Sequence, residues 1–158
     1  MYTLGINAYH GDSSACIYKD TELIAATEEE RIVRIKHWAG LPIKAIQFCL
    51  DEANITLKDV DVITVSRDPK AKIGKKIIQT LKKGISLKAV KDRGSNQLKI
   101  TKIKSDITES LGFKPSDIKA KLYFAEHHRS HMASSFFVSP FQESAILSID
   151  GMGDFSST

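Results

Sequence analysis

The chain lacks what membrane-embedded, secreted and fibrous proteins depend on. No stretch of its 158 residues approaches the roughly 18 to 20 uninterrupted apolar residues of a membrane span, and Met1-Tyr2-Thr3-Leu4-Gly5 is not a basic segment leading into an apolar one. No membrane partner is expected, and the location read from this is cytoplasmic. Cysteine is scarce: Cys16 and Cys49 sit among apolar neighbours, outside any metal-ligand or CxxC spacing, and read as buried free thiols rather than a disulfide. With 42% hydrophobic and 27% charged residues, disorder and low complexity are excluded and one packed core is affordable.

Acids and aromatics are missing from one segment. Residues 70–104 hold 12 of the 23 Lys and Arg against a single acid, Asp92, so the segment carries +11 while the remainder carries −7 of the net +4. The basic pI near 9.0 therefore belongs to this segment alone. It contains no Phe, Tyr or Trp, so base stacking is not available to it and only salt-sensitive phosphate contact remains. A nucleic-acid or anionic-surface module is a minor alternative on these grounds.

What is present alternates in a readable order. Residues 2–6, 14–18 and 22–26 are short, rich in apolar and β-branched residues, and separated by turns at Asn7 to Ser13 and Lys19-Asp20-Thr21, which predicts a three-stranded meander. Pro42 opens a helix running to Asn54, with Ile43, Ile46, Cys49, Leu50 and Ala53 on one face. A strand over 60–66 follows, then a Lys-rich helix over 72–91 broken at Gly94-Ser95-Asn96. A helix over 98–111 stops at Gly112 with Pro115 beyond. Strand 120–124, a helix over 127–137 stopped by Ser139-Pro140, and a last apolar strand over 144–149 complete the order. The resulting β-β-β-α-β-α-β-α-β predicts an α/β fold, a mixed sheet with helices on both faces, the order of a ribonuclease-H-like domain.

An internal echo bears on domain organisation. Leu4-Gly5-Ile6-Asn7 leads through a Gly-Asp turn to a Ser pair, and Leu147-Ser148-Ile149-Asp150 leads through Gly151, Gly153 and Asp154 to Ser156-Ser157. The reading is a first subdomain over 1–142, with the Lys-rich segment inside it, and the first strand and turn of a second subdomain over 143–158. The chain is then expected to be the front part of a longer two-lobed protein.

Three groups of residues carry chemistry. His127 and His131, four apart on a helix, place two imidazoles on one face, and Asp150 at the end of the next strand can add an oxygen; two nitrogens and a carboxylate suit Fe(II), Zn or Mn. The residue after His127 is His128 rather than the Glu of an HExxH motif, which removes the zinc-protease reading. The turn His10-Gly11-Asp12-Ser13-Ser14 has small residues and hydroxyls able to approach phosphate, with Asp12 able to hold a cation or water; an ordinary hairpin loop reads the same way. In Glu28-Glu29-Glu30-Arg31-Ile32-Val33-Arg34-Ile35-Lys36-His37 the basic set can clamp an anion or form a solvated helix face.

Taken in order, GINAYHGDSSA, EEERIVRIKH, VSRDP, HHRSHMASSFFVSPF and AILSIDGMGD resemble the O-carbamoyltransferase family of nodulation and antibiotic-tailoring enzymes, over nearly the whole chain. The resemblance implies an N-terminal lobe of the actin, sugar-kinase and Hsp70 superfamily. It also implies transfer of a carbamoyl group from carbamoyl phosphate, through a carbamoyl adenylate made with ATP, to a hydroxyl of a small molecule. By it, His127, His131 and Asp150 match metal ligands, and His10 a catalytic histidine with Asp12 beside it. Ser13, Gly151 and Gly153 match phosphate-loop positions, and Arg31, Lys36 and His37 a basic substrate motif. The expected cofactors are ATP and a divalent metal, Fe2+ first, with Zn2+, Mn2+ or Mg2+ behind it. The expected partners are carbamoyl phosphate, the hydroxyl acceptor and the remaining C-terminal part of the enzyme, without which this piece is expected to hold metal weakly and not to complete the reaction. A sugar kinase or ATPase is disfavoured by the histidines, since such enzymes place Mg2+ through carboxylates and water. A tRNA threonylcarbamoyl-transfer protein shares the metal motif, but the EEERIVRIKH segment points to the O-carbamoyltransferases.

Overall fold

The computed structural model describes residues 1–69, 100 and 102–150. The Lys-rich helix expected over 72–91, its break at Gly94-Ser95-Asn96, and Gly151 and Gly153 lie outside the described residues.

Five strands form one sheet in the order β3-β2-β1-β4-β5. The meander is β1 (Tyr2–Asn7), β2 (Ser14–Lys19) and β3 (Glu22–Glu28), paired antiparallel, and β4 (Val62–Val65) and β5 (Lys121–Phe124) add in parallel on the other side of β1. This mixed sheet, with its strand order and directions, is the ribonuclease-H-like α/β arrangement that the sequence predicts. Period-two alternation decides which face is the core: Leu4 and Ile6, Ala15 and Ile17, Ile63 and Val65 are buried on one side.

Two helices cover that side. In α2 (Ile43–Glu52) the buried residues are Ala45, Ile46, Cys49 and Leu50, and in α3 (residues 102–110) Ile103 and Ile107 join the same cluster. α1 (Glu29–Val33) is a five-residue helix that ends where Arg34 takes a left-handed φ of 61°. Its first residue, Glu29, is 2% exposed, and its carboxylate accepts the N–H groups of Lys44 and Ala45 at 3.1 and 2.7 Å, satisfying amides at the start of α2. α3 closes as its sequence requires: Gly112 has φ +76°, its N–H reaches Glu109 and that of Phe113 reaches Thr108. The Lys104 ammonium then donates to the Ile118 and Ala120 carbonyls, holding the approach to β5.

The opposite face of the sheet presents small residues. Gly5 lies so near Cys16 that a Cβ there would stand 2.7 Å from its sulfur. α4 (His127–Phe136) stands beyond this face and leaves a cavity against it. Both cysteines are free thiols, as expected, but only Cys49 is buried, Cys16 being half-buried on the cavity face; no helix among the described residues is long and apolar enough to cross a membrane.

One expected strand does not form. Residues 144–149 have no regular secondary structure, and Leu147 and Ile149 are 78% and 73% exposed. An apolar run becomes a strand only when a neighbour completes its ladder, and among the described residues none pairs with this one.

Candidate metal centre

α4 begins three residues after β5, at the ends of the parallel strands where the chain leaves the sheet. Its helical period puts His127, Ser130, His131 and Ser134 along one side, and all four line the cavity. The two imidazoles meet edge to face with centroids 4.6 Å apart, and their Nε2 atoms are 3.1 Å apart. Asp150 reaches back across 23 residues to place Oδ2 at 2.6 Å from His127 Nε2 and 3.8 Å from His131 Nε2.

These donors suit a divalent ion. Two ligands each about 2.1 Å from one ion, at the angles metals prefer, are about 3.0 to 3.4 Å apart, close to the spacing of the two nitrogens. The three groups offer ligand atoms all within 4.8 Å of one another.

His10 completes this side of the cavity, with its ring 6.3 Å from that of His127. Its pKa is held below the ordinary imidazole value, first by burial and then by the positive charge of Arg67 and by His127, so the ring is neutral at pH 7. The loop that carries His10 is fixed from several sides. Ser66 Oγ donates to Asn7 Oδ1, the Asn7 amide donates to the Asp12 carbonyl, and the Tyr9 hydroxyl donates to Asp106 of α3. The cavity has a volume of about 690 Å³, with Gly5, Cys16 and Ala26 on its sheet side and His10, His127 and His131 among its polar lining.

The other expected residues are placed differently. Ser13 is fully buried, and its hydroxyl points to the carbonyls of Gly40 and His10 at 2.9 and 3.1 Å. In this arrangement the hydroxyl ties two loops of the protein together. Asp12 is exposed and paired with His37, Oδ1 to Nδ1 at 2.8 Å, while the His37 N–H donates to Glu30. This pairing raises the His37 pKa, through the hydrogen bond first and the Asp12 charge second. Arg31 is exposed and contacts Glu28 and Glu30, and Lys36 is exposed. Arg31 and His37 thus each hold an acid of the chain, and the basic residues do not converge into a clamp in this structure.

Sequence reasoning missed Arg67 as the charge facing His10, although it stands within the VSRDP segment. It also missed Ser130 and Ser134, which the helical period from His127 would have indicated. Ser14 and Ser66 line the cavity as well.

The Carbamoyltransferase N-terminus family profile matches residues 2–158. The uncharacterized protein sll1178 of Synechocystis sp. is 38% identical over 99% of this chain and 26% of its own length. Nodulation protein NolNO of Sinorhizobium fredii is 33% identical over 96% of this chain and 21% of its own. The chain thus spans about a quarter or less of these curated relatives. Among solved structures, YeaZ from Pseudomonas aeruginosa superposes with a TM-score of 0.40 at 13% identity, covering 86% of this chain and 49% of that one. With the profile matched across residues 2–158 and a relative one-third identical over nearly all of it, the chain belongs to the carbamoyltransferase N-terminus family.

Proposed function

We propose that this chain is the part of an ATP-dependent O-carbamoyltransferase that holds the metal and carries the base. In this reading the carbamoyl group passes from carbamoyl phosphate, by way of carbamoyl adenylate, to a hydroxyl of a small molecule. The observation that carries the reading is the meeting of a neutral His10 with His127 and His131 around one cavity, with Asp150 against the two metal-site histidines, in a chain of this family.

His127, His131 and Asp150 would hold the divalent ion, which when bound supplies positive charge and Lewis acidity beside phosphate oxygens. His10 acts on the acceptor. As the acceptor oxygen attacks the carbamoyl carbon and the adenylate oxygen leaves, the hydroxyl proton passes to the neutral imidazole, which the low pKa keeps ready at pH 7. The fixed loop holds that ring in place before substrate arrives. The small residues of the sheet face leave room for a substrate group beside it. The remaining nucleotide contacts belong to the length of the relatives that this chain does not span.

The test is ATP–pyrophosphate exchange and carbamoyl transfer in the full-length protein. Exchange that requires carbamoyl phosphate, with transfer lost in His10→Ala, is the expected result. Exchange that requires threonine and bicarbonate in its place would move the protein to the threonylcarbamoyl-transfer class and overturn the reading.

A further inference from the structure

Asp150 presents a problem of support. It is the ligand candidate most distant in sequence from the other two, and it follows a segment that pairs with no strand among the described residues. Leu147 and Ile149 face outward, and a cavity of about 210 Å³ lies between residues 146–149 and α4. No backbone–backbone hydrogen bond ties residues 142–150 to the other described residues. A ligand that must be ordered at each binding event weakens binding, so a contact that holds the Asp150 backbone in advance strengthens it.

The segment is fastened to α4 by side chains. Besides Asp150 itself, Ser148 places Oγ at 2.8 Å from His128 Nδ1, a hydrogen bond in either tautomer of the ring. His128 is only 5% exposed, and its ring stands edge-on to His127 at 5.7 Å. It is next to one metal-ligand candidate in sequence, and its partner is two residues before another. Burial fixes the imidazole, the imidazole fixes Ser148, and the two-residue step from Ser148 then limits where the Asp150 carboxylate can stand.

We propose that His128 is a positioning residue, whose bond to Ser148 holds the chain against α4 so that Asp150 reaches both His127 and His131 as a ready-made third ligand. The proposal rests on the metal reading given above. Hydrogen-bonded supports of metal ligands typically account for ten- to a hundred-fold in metal affinity. His128 and Ser148 differ from most such supports in acting on the backbone of the ligand residue rather than on its side chain.

The experiment measures Zn2+ affinity of the full-length protein by chelator competition, with the visible absorption of the Co2+-loaded protein as the signature of ligand geometry. Ser148→Ala and His128→Phe are expected to weaken Zn2+ binding by about tenfold or more and to alter the Co2+ spectrum. The double variant is expected to be no weaker than His128→Phe alone, because both remove one bond. Ser148→Thr and His128→Asn, which keep a polar group at that place, are expected to restore most of the affinity. Should His128→Phe fail to fold, Ser148→Ala decides the matter by itself. Wild-type affinity in Ser148→Ala, with His131→Ala abolishing binding, overturns the positioning role while leaving the metal site standing. No Zn2+ binding in the wild type, or binding indifferent to His131→Ala, overturns the metal reading and this proposal with it.

Discussion

Asp12 and His37 are joined at 2.8 Å across 25 positions of sequence, and both hold backbone angles in the left-handed region, φ 63° and 55°. Each loop turns sharply to offer its side chain to the other. The pair closes the end of the β1–β2 loop against the chain that follows α1, in reach of Glu30.

Because Asp12 raises the pKa of His37, this contact has a defined pH range. A raised folded pKa means the contribution to stability is fully present below the unfolded value near 6.5 and is lost as pH rises through the folded pKa. In an NMR titration, the His37 imidazole should titrate above 6.5 in the wild type and return toward 6.5 in Asp12→Asn. Identical titration in the two proteins would mean that the pair does not persist in solution.

His10 has the opposite sign. Its pKa is lowered, so the neutral form persists to a lower pH than for an ordinary imidazole, and Arg67 is one cause. Arg67→Met should raise the His10 pKa and move the acid limb of the transfer-rate profile to higher pH. His10→Ala should lower the rate by about 10² to 10⁴. An unmoved acid limb in Arg67→Met would show that another group sets it.

On the metal reading proposed above, chelation should separate chemistry from folding. Treatment of the full-length protein with a strong chelator, or His127→Ala, is expected to abolish transfer while the circular dichroism spectrum is retained, because the core cluster contains none of the three candidate ligand residues. Full transfer activity in His127→Ala, measured with stoichiometric metal analysis, would remove His127 from the ligand set.

Gly5 and Cys16 form a steric pair on the cavity face. Gly5→Ala would place its Cβ 2.7 Å from the Cys16 sulfur, and should cost about 1–3 kcal/mol in denaturant unfolding. In a Cys16→Ala background the same change should cost much less. Equal costs in both backgrounds would assign the effect to the backbone rather than to the sulfur.

Glu29 is worth more than a surface glutamate. Glu29→Ala leaves the amides of Lys44 and Ala45 without their carboxylate and should destabilise by about 2–3 kcal/mol, with a smaller loss in Glu29→Gln. The melting temperatures of the two variants check this ordering.

The parts of this molecule legible in the sequence are those governed by short periods. Leu4, Ile6, Ala15 and Ile17 announce a buried strand face by alternation, Ile46, Cys49 and Leu50 announce α2 by helical spacing, and Gly112 marks the end of α3. The two histidines four apart follow from the same geometry. Contacts between distant loops are another matter. Nothing in local sequence pairs Asp12 with His37, or His128 with Ser148, or turns the Ser13 hydroxyl inward, because these depend on how the finished sheet brings loops together. The apolar run at 144–149 misled for a related reason: its composition fits a strand, but strand formation is decided by a neighbour.

The loop bearing His10 cannot act as a gate. The Tyr9 N–H donates to the Gly40 carbonyl, the Ser13 N–H to that of Trp38, and the Glu29 N–H to that of Ser13, so this loop, the start of α1 and the chain at 38–40 share one web of backbone bonds. Opening any part exposes the buried Ser13 and breaks several of these bonds together, which makes the three segments a single cooperative unit for hydrogen exchange. Damage at Trp38 or Gly40 would therefore be felt at His10 without touching it.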